Sequence, residues 1–388
     1  MLTVTCLILS IAFVAIVSAL TITWPACLRV TRTLKRGHDI DICSGETVPS
    51  VTVVVYDSVR VIPLEDYLEK LCGQDWPCFN VVLVSDASAA DARELQDRYQ
   101  SRFPKVHFTF IPLGSCNVSR RKLALTVGIK ASDSDYILTT VSNCDIPSDR
   151  WISLMMASLI ADSRKEICLG LSRPDFSMLR GFGKWYRQFD FTLRSMQWIA
   201  AAVSGRPMRG DGYNMLFRRD LFFRCNGYSS TTYLESGDDD LFLTEIADGA
   251  NTVVQLCPDA VLVQQWGDNT DNILLEAKDR YDFTSRFLPR GPFLKASFVS
   301  WCQWVVVFCC AFAVSIGFVW YVAALAALLV ISFAGCEIYL YRKAAVVTAS
   351  VRLWWSVFPF LLWRPFGNLF FRLRHRSSRH RHFTWRPA

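Results

Sequence analysis

The feature that most restricts the fold is a run of residues without any charged side chain, from Ala296 to Cys336. A bilayer core of about 30 Å is crossed by about 20 helical residues, so this run is roughly twice as long as one crossing needs. We therefore predict two transmembrane helices within 296–341. A short turn near Gly317 would join them, so that the chain returns to the side from which it left.

The N-terminal segment 1–28 also lacks charged residues and is long enough to span a membrane. A cleaved signal peptide is the alternative, but it would carry a basic residue before its apolar run, and this segment has none. The basic linker 29–47 follows, and the positive-inside rule predicts that it lies in the cytoplasm together with Arg342 and Lys343. We expect a protein of the bacterial inner membrane whose globular part, 48–290, is cytoplasmic.

The C-terminal segment 344–388 mixes aromatic residues with arginine and proline, and its uncharged stretches are too short to cross a membrane. We predict interfacial helices followed by a basic tail. The arginines of the tail could bind nucleic acid, but beside a membrane the anionic lipid headgroups are the simpler partner. Membrane lipids are therefore the predicted partner of this segment, and nucleic acid is not.

The first part of the globular segment alternates strands and helices. Runs rich in β-branched residues predict buried strands, and the stretches between them predict helices. Strands are predicted at 51–56, 80–85, 106–111 and 136–141, and helices at 64–73, 91–103 and 120–130. Such short connections are typical of a doubly wound parallel α/β unit, which binds ligands at the carboxyl ends of its strands.

Acidic residues occur at three separate places. Asp86 and Asp145 each follow a predicted strand, and three consecutive aspartates occupy 238–240. Simpler explanations exist, namely an Asx-turn for Asp145, a helix start for the trio and a solvated face for the basic residues that open helix 120–130. Considered together, converging carboxylates beside a basic segment suit Mg²⁺ or Mn²⁺ bridging a diphosphate. This predicts a pocket for a nucleotide diphosphate.

Several further segments complete the pattern. They are Gln74-Asp75-Trp76-Pro77, Ser85-Asp86-Ala87-Ser88, Lys122-Leu123-Ala124-Leu125, Gly128-Ile129-Lys130, Asn143-Cys144-Asp145 with Trp151, and Gly210-Asp211-Gly212-Tyr213-Asn214. In order and spacing, the chain from 48 to 288 resembles the membrane-associated family 2 glycosyltransferases. The resemblance implies an α/β fold of the GT-A type with a doubly wound mixed sheet, flanked by an N-terminal transmembrane helix and a C-terminal transmembrane hairpin with interfacial helices.

The resemblance also implies a reaction and roles for single residues. The reaction is the metal-dependent, inverting transfer of a sugar from a nucleotide sugar to a lipid-linked or envelope glycan acceptor. Asp145 would hold the metal, and either Asp238 or Asp239 would be the general base. The expected donor-side residues are Tyr56, Asp86, Lys122 and Asn143. The expected acceptor-side residues are Gly212, Asn214, Asp240, Trp266 and Arg280.

The chain departs from the family pattern at three places. Val59-Arg60 stands where Asn-Glu is usual, Asn143 replaces the first acid of the DxD motif, and Gln264-Gln265-Trp266 is followed by Gly267-Asp268 where a QxxRW motif would require Arg-Trp. The last departure argues against polymer synthesis. The first two motivate an alternative hypothesis, a catalytically weak glycosyltransferase fold that binds nucleotide or a partner and acts as a membrane scaffold.

Overall fold

The computed structural model describes residues 2–35, 48–86, 88–112, 114–115, 118–316, 320–374 and 382–384. The chain forms two compact units. The helical unit comprises Met1–Arg32, Gly181–Ala200 and Pro289–Arg374, and the sheet unit comprises Thr33–Arg180, Ala201–Leu288 and His375–Ala388. The globular part predicted as one continuous segment is therefore interrupted, because its residues 181–200 group with the apolar helices.

Ten strands are described in the sheet unit. They are β1 (Val51–Asp57), β2 (Phe79–Ser85), β3 (Val106–Phe110), β4 (Tyr136–Val141), β5 (Cys144–Asp145), β6 (Ile167–Leu169), β7 (Ser172–Pro174), β8 (Met215–Arg218), β9 (Thr252–Val254) and β10 (Leu262–Gln264). Seven of them form one sheet in the order β3-β2-β1-β4-β8-β6-β9, and the others form a small sheet in the order β5-β10-β7.

The seven-stranded sheet is parallel at one side and mixed at the other. Strand β1 pairs in parallel with β2 and β4, so that Val53 faces both Val81 and Leu138. Strand β8 runs antiparallel to both of its neighbours, β4 and β6. This arrangement confirms the mixed α/β fold with a parallel-rich sheet.

Twelve α-helices are described. In the sheet unit they are α2 (Leu64–Cys72), α3 (Ala89–Tyr99), α4 (Arg120–Lys130), α5 (Trp151–Ile160), α7 (Arg219–Arg224), α8 (Asp240–Ile246) and α9 (Thr270–Thr284). The others are α1 (Leu2–Lys35), α6 (Gly181–Val203), α10 (Arg290–Ile316), α11 (Trp320–Val347) and α12 (Val357–Arg374).

The predicted elements of the sheet unit occur within a few residues of their expected bounds. Helix α3 differs most, since it begins and ends before the predicted 91–103. The reason is a capping box, in which the Ser88 hydroxyl accepts a hydrogen bond from the Asp91 amide and the Asp91 carboxylate accepts one from the Ser88 amide. Polar side chains thus fix the helix start two residues before the position that hydrophobic periodicity indicated.

Helix α4 lies unusually close to the sheet. A Cβ atom added to Gly128 would be 2.4 Å from Cγ1 of Val54 on β1 and 3.2 Å from Cγ2 of Val84 on β2. Only a residue without a side chain fits this contact, and the approach places the first turn of α4 beside the carboxyl ends of these two strands.

Among the residues that the structure describes, three helices are long and apolar enough to cross a membrane, Thr3–Leu34, Arg290–Ile316 and Trp320–Val347. These are the predicted spans, and the predicted turn near Gly317 lies outside the described residues. Small residues on α1, including Ala12 and Ala19, are fully buried in the cluster that joins the three helices. Small side chains allow helix backbones to approach closely where no water drives association.

Candidate active site

Tyr56 and Asp86 meet at the carboxyl ends of β1 and β2. The Tyr56 hydroxyl donates a 2.7 Å hydrogen bond to Oδ2 of Asp86, and Nε of Arg120 donates one of 2.7 Å to Oδ1. Burial alone would raise the pKa of Asp86, but the hydrogen bonds from Arg120 and Tyr56 outweigh it and lower the pKa. Asp86 is therefore a carboxylate whose two oxygens are held by Arg120, the first residue of α4, and Tyr56, the second-last residue of β1.

A further acid at this edge was missed by the sequence reasoning. Asp57, the last residue of β1, is buried, and its Oδ2 accepts a 2.9 Å hydrogen bond from Nε of Arg60. Arg60 is one of the two residues that replace the usual Asn-Glu pair. Its presence is thus matched by an acid three positions earlier, a spacing that could have been read from the sequence.

Asp145 lies on β5 and is partly exposed. Its Oδ1 is 2.5 Å from Nζ of Lys70 on α2, a residue that the sequence reasoning did not single out. Asn143 beside it is buried and donates from Nδ2 to the carbonyl oxygen of Gln265 at 3.1 Å. The Asn143 amide therefore fastens the residues before β5 to the segment after β10, whereas the carboxylate of Asp145 faces a cation.

The three consecutive aspartates lie at the start of α8, and two of them are buried against arginine. Nε of Arg121 is 2.7 Å from Oδ2 of Asp238. Nη2 of Arg209 is 3.1 Å from Oδ2 of Asp240, which also accepts a 2.7 Å hydrogen bond from the Thr284 hydroxyl. Buried carboxylates need such partners, because an unpaired buried charge costs several kcal/mol.

Asp239 is the least buried of the three. Within the described part of the chain it forms no ion pair, and its Oδ1 accepts a 2.7 Å hydrogen bond from the amide of Asp240. Burial and then the charge of Asp238 raise the pKa of Asp239, while Arg121 opposes them. A carboxylate with a raised pKa and access to solvent suits general base catalysis.

Arg121 is the cation at the centre of this cluster. Its guanidinium lies over the Tyr213 ring, 4.2 Å from the centroid, and the charge of Tyr213 also raises the pKa of Arg280. A Cβ atom on Gly212 would be 2.8 Å from Nη2 of Arg121 and 2.8 Å from Cβ of Asp239. Nη2 of Arg121 is buried and has no hydrogen-bond partner among the described residues.

Lys122 is oriented differently from the two arginines that precede it. Its side chain is 1% exposed, and Nζ donates to the carbonyl oxygens of Thr231 at 2.7 Å, Leu234 at 2.9 Å and Ser236 at 2.9 Å. An ammonium group has three N–H donors. All three are used, which leaves none for a phosphate of the donor.

Asn214 is fully buried and satisfied by protein groups. Its Oδ1 accepts from Nε1 of Trp151 at 3.0 Å, and its Nδ2 donates to the carbonyl oxygens of Leu171 at 3.0 Å and Ala260 at 2.8 Å. The side chain joins α5 to the segments before β7 and β10. Its contacts are those of a structural residue at the base of the predicted acceptor side.

Trp266 is joined to Asp211 by a chain of hydrogen bonds. Nε1 of Trp266 donates to Gln264 at 3.3 Å, Nε2 of Gln264 donates to the Ser172 hydroxyl at 2.6 Å, and that hydroxyl donates to Oδ2 of Asp211 at 2.6 Å. Asp211 in turn accepts a hydrogen bond from the amide of Tyr213. The chain brings Trp266 to the Tyr213 segment and identifies Asp211 as a further acid near the site.

These contacts connect most of the predicted site residues. Arg120 and Arg121 are adjacent, and they hold Asp86 and Asp238 respectively. The charges of Asp211 and Arg121 both act on the thiol of Cys144, the neighbour of Asp145. The cluster therefore extends along the carboxyl ends of the parallel strands, as expected for ligand sites of such sheets.

The site offers few side chains that could ligate a divalent cation. Among the described residues, no three His, Cys, Asp or Glu side chains converge in a way that could hold a metal ion. Mg²⁺ and Mn²⁺, however, are often held by one or two carboxylates and complete their shell with phosphate and water oxygens. Asp145, which is partly exposed and has its second oxygen free of Lys70, fits such a single-ligand role.

The chain matches the model of glycosyl transferase family 21 over residues 62–386. No curated protein sequence matches it. The match begins in the loop after β1 and covers most of both units.

Solved structures share the fold at low sequence identity. The mannosyltransferase PcManGT from Pyrobaculum calidifontis, in complex with GDP-Man and Mn²⁺, has a TM-score of 0.54 and 19% identity, covering 93% of this chain and 99% of that one. S. aureus TarS has a TM-score of 0.38 and 13% identity, covering 77% of this chain and 55% of that one. The first similarity shows a shared fold, and none of the comparisons confirms the predicted assignment to family 2.

Proposed function

The chain belongs to glycosyl transferase family 21, and on this premise we propose that it transfers a sugar from a nucleotide-sugar donor to a lipid-linked or envelope glycan acceptor. The proposed reaction is metal-dependent and inverting, and it occurs at the cytoplasmic face of the membrane. The observation that carries the proposal is the aspartate trio, in which two members form ion pairs with arginines and the middle one is partly exposed.

Asp239 is the proposed general base. Asp238 and Asp240 each have an oxygen occupied by a guanidinium, whereas Asp239 has no ion pair among the described residues. Burial raises the pKa of both Asp239 and Asp240, so the missing ion pair and the partial exposure of Asp239 are what distinguish it. In the proposed step the acceptor hydroxyl gives its proton to Asp239 while its oxygen forms a bond to the anomeric carbon. The bond from that carbon to the diphosphate breaks on the opposite face, and its electron pair leaves with the nucleotide diphosphate.

The donor is proposed to lie along the strand ends. Asp86, oriented by Tyr56 and Arg120, would accept hydrogen bonds from the nucleoside, as the resemblance implies. The unpartnered Nη2 of Arg121 would contact the diphosphate, since guanidinium groups pair well with phosphate oxygens. Lys122 and Asn143 would hold the backbone segments on this side of the site in place, through their hydrogen bonds to backbone carbonyl groups.

A divalent cation at Asp145 would neutralise the charge that develops on the leaving diphosphate. PcManGT was solved with GDP-Man and Mn²⁺, and a nucleotide sugar with a divalent cation is the corresponding pair proposed here. Lys70 would have to share or release the Asp145 carboxylate when the cation binds. Since its ammonium is half-exposed, this movement costs little.

The proposal is tested by nucleotide release from a panel of nucleotide sugars with Mn²⁺, using the full chain in membranes. We expect Asp239→Asn to lower kcat by about 10²–10⁴ and to leave the Kd of the donor unchanged. Asp238→Asn should lower kcat less, because it removes only the partner of Arg121. Asp133→Asn, at an exposed position without contacts to the site, is the matched control.

The assignment of Asp239 is contradicted if Asp238→Asn lowers kcat more than Asp239→Asn does. The whole proposal is contradicted if the wild-type chain releases no nucleotide from any donor in the panel. Asp145→Ala should raise the Mn²⁺ concentration needed for half-maximal release, and an unchanged requirement would remove Asp145 from the metal site.

The second candidate is the membrane scaffold with little catalytic activity. One observation favours it: the acids at two strand ends, Asp57 and Asp145, both pair with cations of the chain, Arg60 and Lys70. Calorimetry separates the two functions, because the scaffold predicts donor binding that is weak or unaffected by Mn²⁺, whereas the transferase predicts binding that Mn²⁺ strengthens.

A further inference from the structure

The residues 382–384, which we call the tail segment, pair with the loop that precedes the aspartate trio. The amide of Glu235 donates to the carbonyl oxygen of His382 at 2.8 Å, and the amide of Thr384 donates to that of Tyr233 at 3.1 Å. Phe383 and Leu234 form the antiparallel bridge between these two hydrogen bonds. The tail segment thus adds a short strand to residues 233–235.

The same loop is held from its other edge by Lys122, which bonds the carbonyl oxygens of Leu234 and Ser236. Lys122 thus holds carbonyl groups of this loop, including those of Leu234 and Ser236, and the tail segment holds the backbone of Tyr233 and Glu235. The loop lies between two sets of hydrogen bonds and leads directly into Asp238.

His382 anchors the tail segment by its side chain. The imidazole is 6% exposed and stacks on Phe283, with ring centroids 4.2 Å apart and planes 14° from parallel. Its Nε2 is 3.0 Å from Oδ2 of Asp279. Phe283 and Asp279 both lie on α9, whose Thr284 donates to Asp240, so a single helix contacts both the anchor and the aspartate trio.

We propose that His382 is a positioning residue for the general base: it seats the tail segment on α9 and thereby fixes the loop that sets the place of Asp239. This inference rests on the proposed function. His382 touches neither the reacting groups nor the donor, and acts through the backbone of residues 233–236.

The charged groups that face His382 are Asp279, Arg286 and Arg280. Burial lowers the pKa of His382, and the carboxylate of Asp279 opposes this without reversing it. At neutral pH the ring is therefore uncharged and donates from Nε2 to Asp279. A glutamine at this position can make the same donation from its amide but cannot stack on Phe283 in the same way.

The experiment compares His382→Ala, His382→Gln and Phe383→Ala with wild type in the full chain, and uses His107→Ala on the exposed face of β3 as the matched control. We expect His382→Ala to lower kcat by about tenfold or more, because misplacing a catalytic group by about 1 Å has effects of this size. The Kd of the donor, measured by calorimetry, should be unchanged. Amide exchange at Glu235 should accelerate at least tenfold, and His382→Gln should recover part of both changes.

His382→Ala could disturb the protein simply because an imidazole is lost from the core. Phe383→Ala separates this effect, since it weakens the pairing of the tail segment and leaves His382 in place. The inference is overturned if exchange at Glu235 accelerates and kcat stays at the wild-type value, or if the donor Kd weakens as much as kcat falls. A wild-type chain that releases no nucleotide would instead reject the proposed function. In that event unchanged exchange at Glu235 in His382→Ala overturns the structural part of the inference as well.

Discussion

Adjacent aspartates at 238–240 have different chemical environments because each side chain leaves the start of α8 in a different direction. Asp238 and Asp240 point to arginines that come from α4 and from the segment before β8, and Asp239 stays partly exposed. The sequence places all three acids at one point but cannot say which is free. That information depends on arginines located 117 and 31 positions earlier, and only the folded chain supplies it.

The same reason explains the residues whose positions differ from expectation. Lys122 and Asn214 were expected to face ligands, and in the structure both bond to backbone carbonyl groups. A polar residue within a motif has the same appearance in sequence whether its partner is a ligand or a distant carbonyl. Asp86 and Tyr56, by contrast, could be predicted because strand ends of one parallel sheet meet at one edge.

Asp211 offers a pH-dependent prediction at the level of one residue. Burial raises its pKa from 3.8 to about 6, although hydrogen bonds from Ser172 and Tyr213 oppose the shift. Because the folded protein binds this proton more tightly, the stabilisation is complete below pH 3.8 and is lost as the pH rises through 6. The free energy of unfolding should therefore fall between pH 4 and 6, by at most about 3 kcal/mol from this group.

Thermal unfolding of the purified chain across this pH range, compared with Asp211→Asn, measures the effect. The asparagine keeps an acceptor for Ser172 and cannot titrate, so the variant should lose this part of the pH dependence. Parallel curves for the two proteins would show that Asp211 does not titrate in this range.

The strands of the parallel half of the sheet could be predicted from sequence, because short runs of buried β-branched residues are typical of strands. The mixed half could not, since β6, β8 and β9 are three or four residues long and carry too little pattern. Helix α6 was not separated from the globular part either. It carries charged residues among its aromatics, and its grouping with the apolar helices depends on packing against residues near 341–361.

The contact of α4 with the sheet gives a prediction for a whole element. Gly128→Ala places a methyl group 2.4 Å from Val54, so the helix must move away from β1. We expect a loss of about 1–3 kcal/mol in unfolding free energy, although alanine favours helices by about 1 kcal/mol over glycine elsewhere. Since Arg120 and Arg121 begin this helix, the Kd of the donor should also weaken.

Gly183→Ala is the matched control, because it is also helical and has no atoms within 4 Å of the added methyl group. Thermal unfolding and donor calorimetry on both variants separate packing from propensity. Equal stability of Gly128→Ala and wild type would mean that α4 can shift without cost.

We predict that the basic linker 29–47, Arg342 and Lys343 lie on the same side of the membrane as the sheet unit. Cys78 is exposed on the sheet unit and provides a label for that side. A membrane-impermeant maleimide should modify it in inverted vesicles and not in intact cells, with Cys78→Ser identifying the labelled site. Modification from the outside of intact cells would reverse the proposed orientation.

The order in which the strands are joined has a consequence for biosynthesis. Strand β8 lies between β4 and β6, yet it leaves the ribosome long after β4, and the chain between them includes the part of α6 that joins the helical unit. At roughly 5–20 residues per second, several seconds pass in which β4 is an open edge of a hydrophobic sheet. A nascent chain stalled before Met215 would therefore present a template for intermolecular strand pairing.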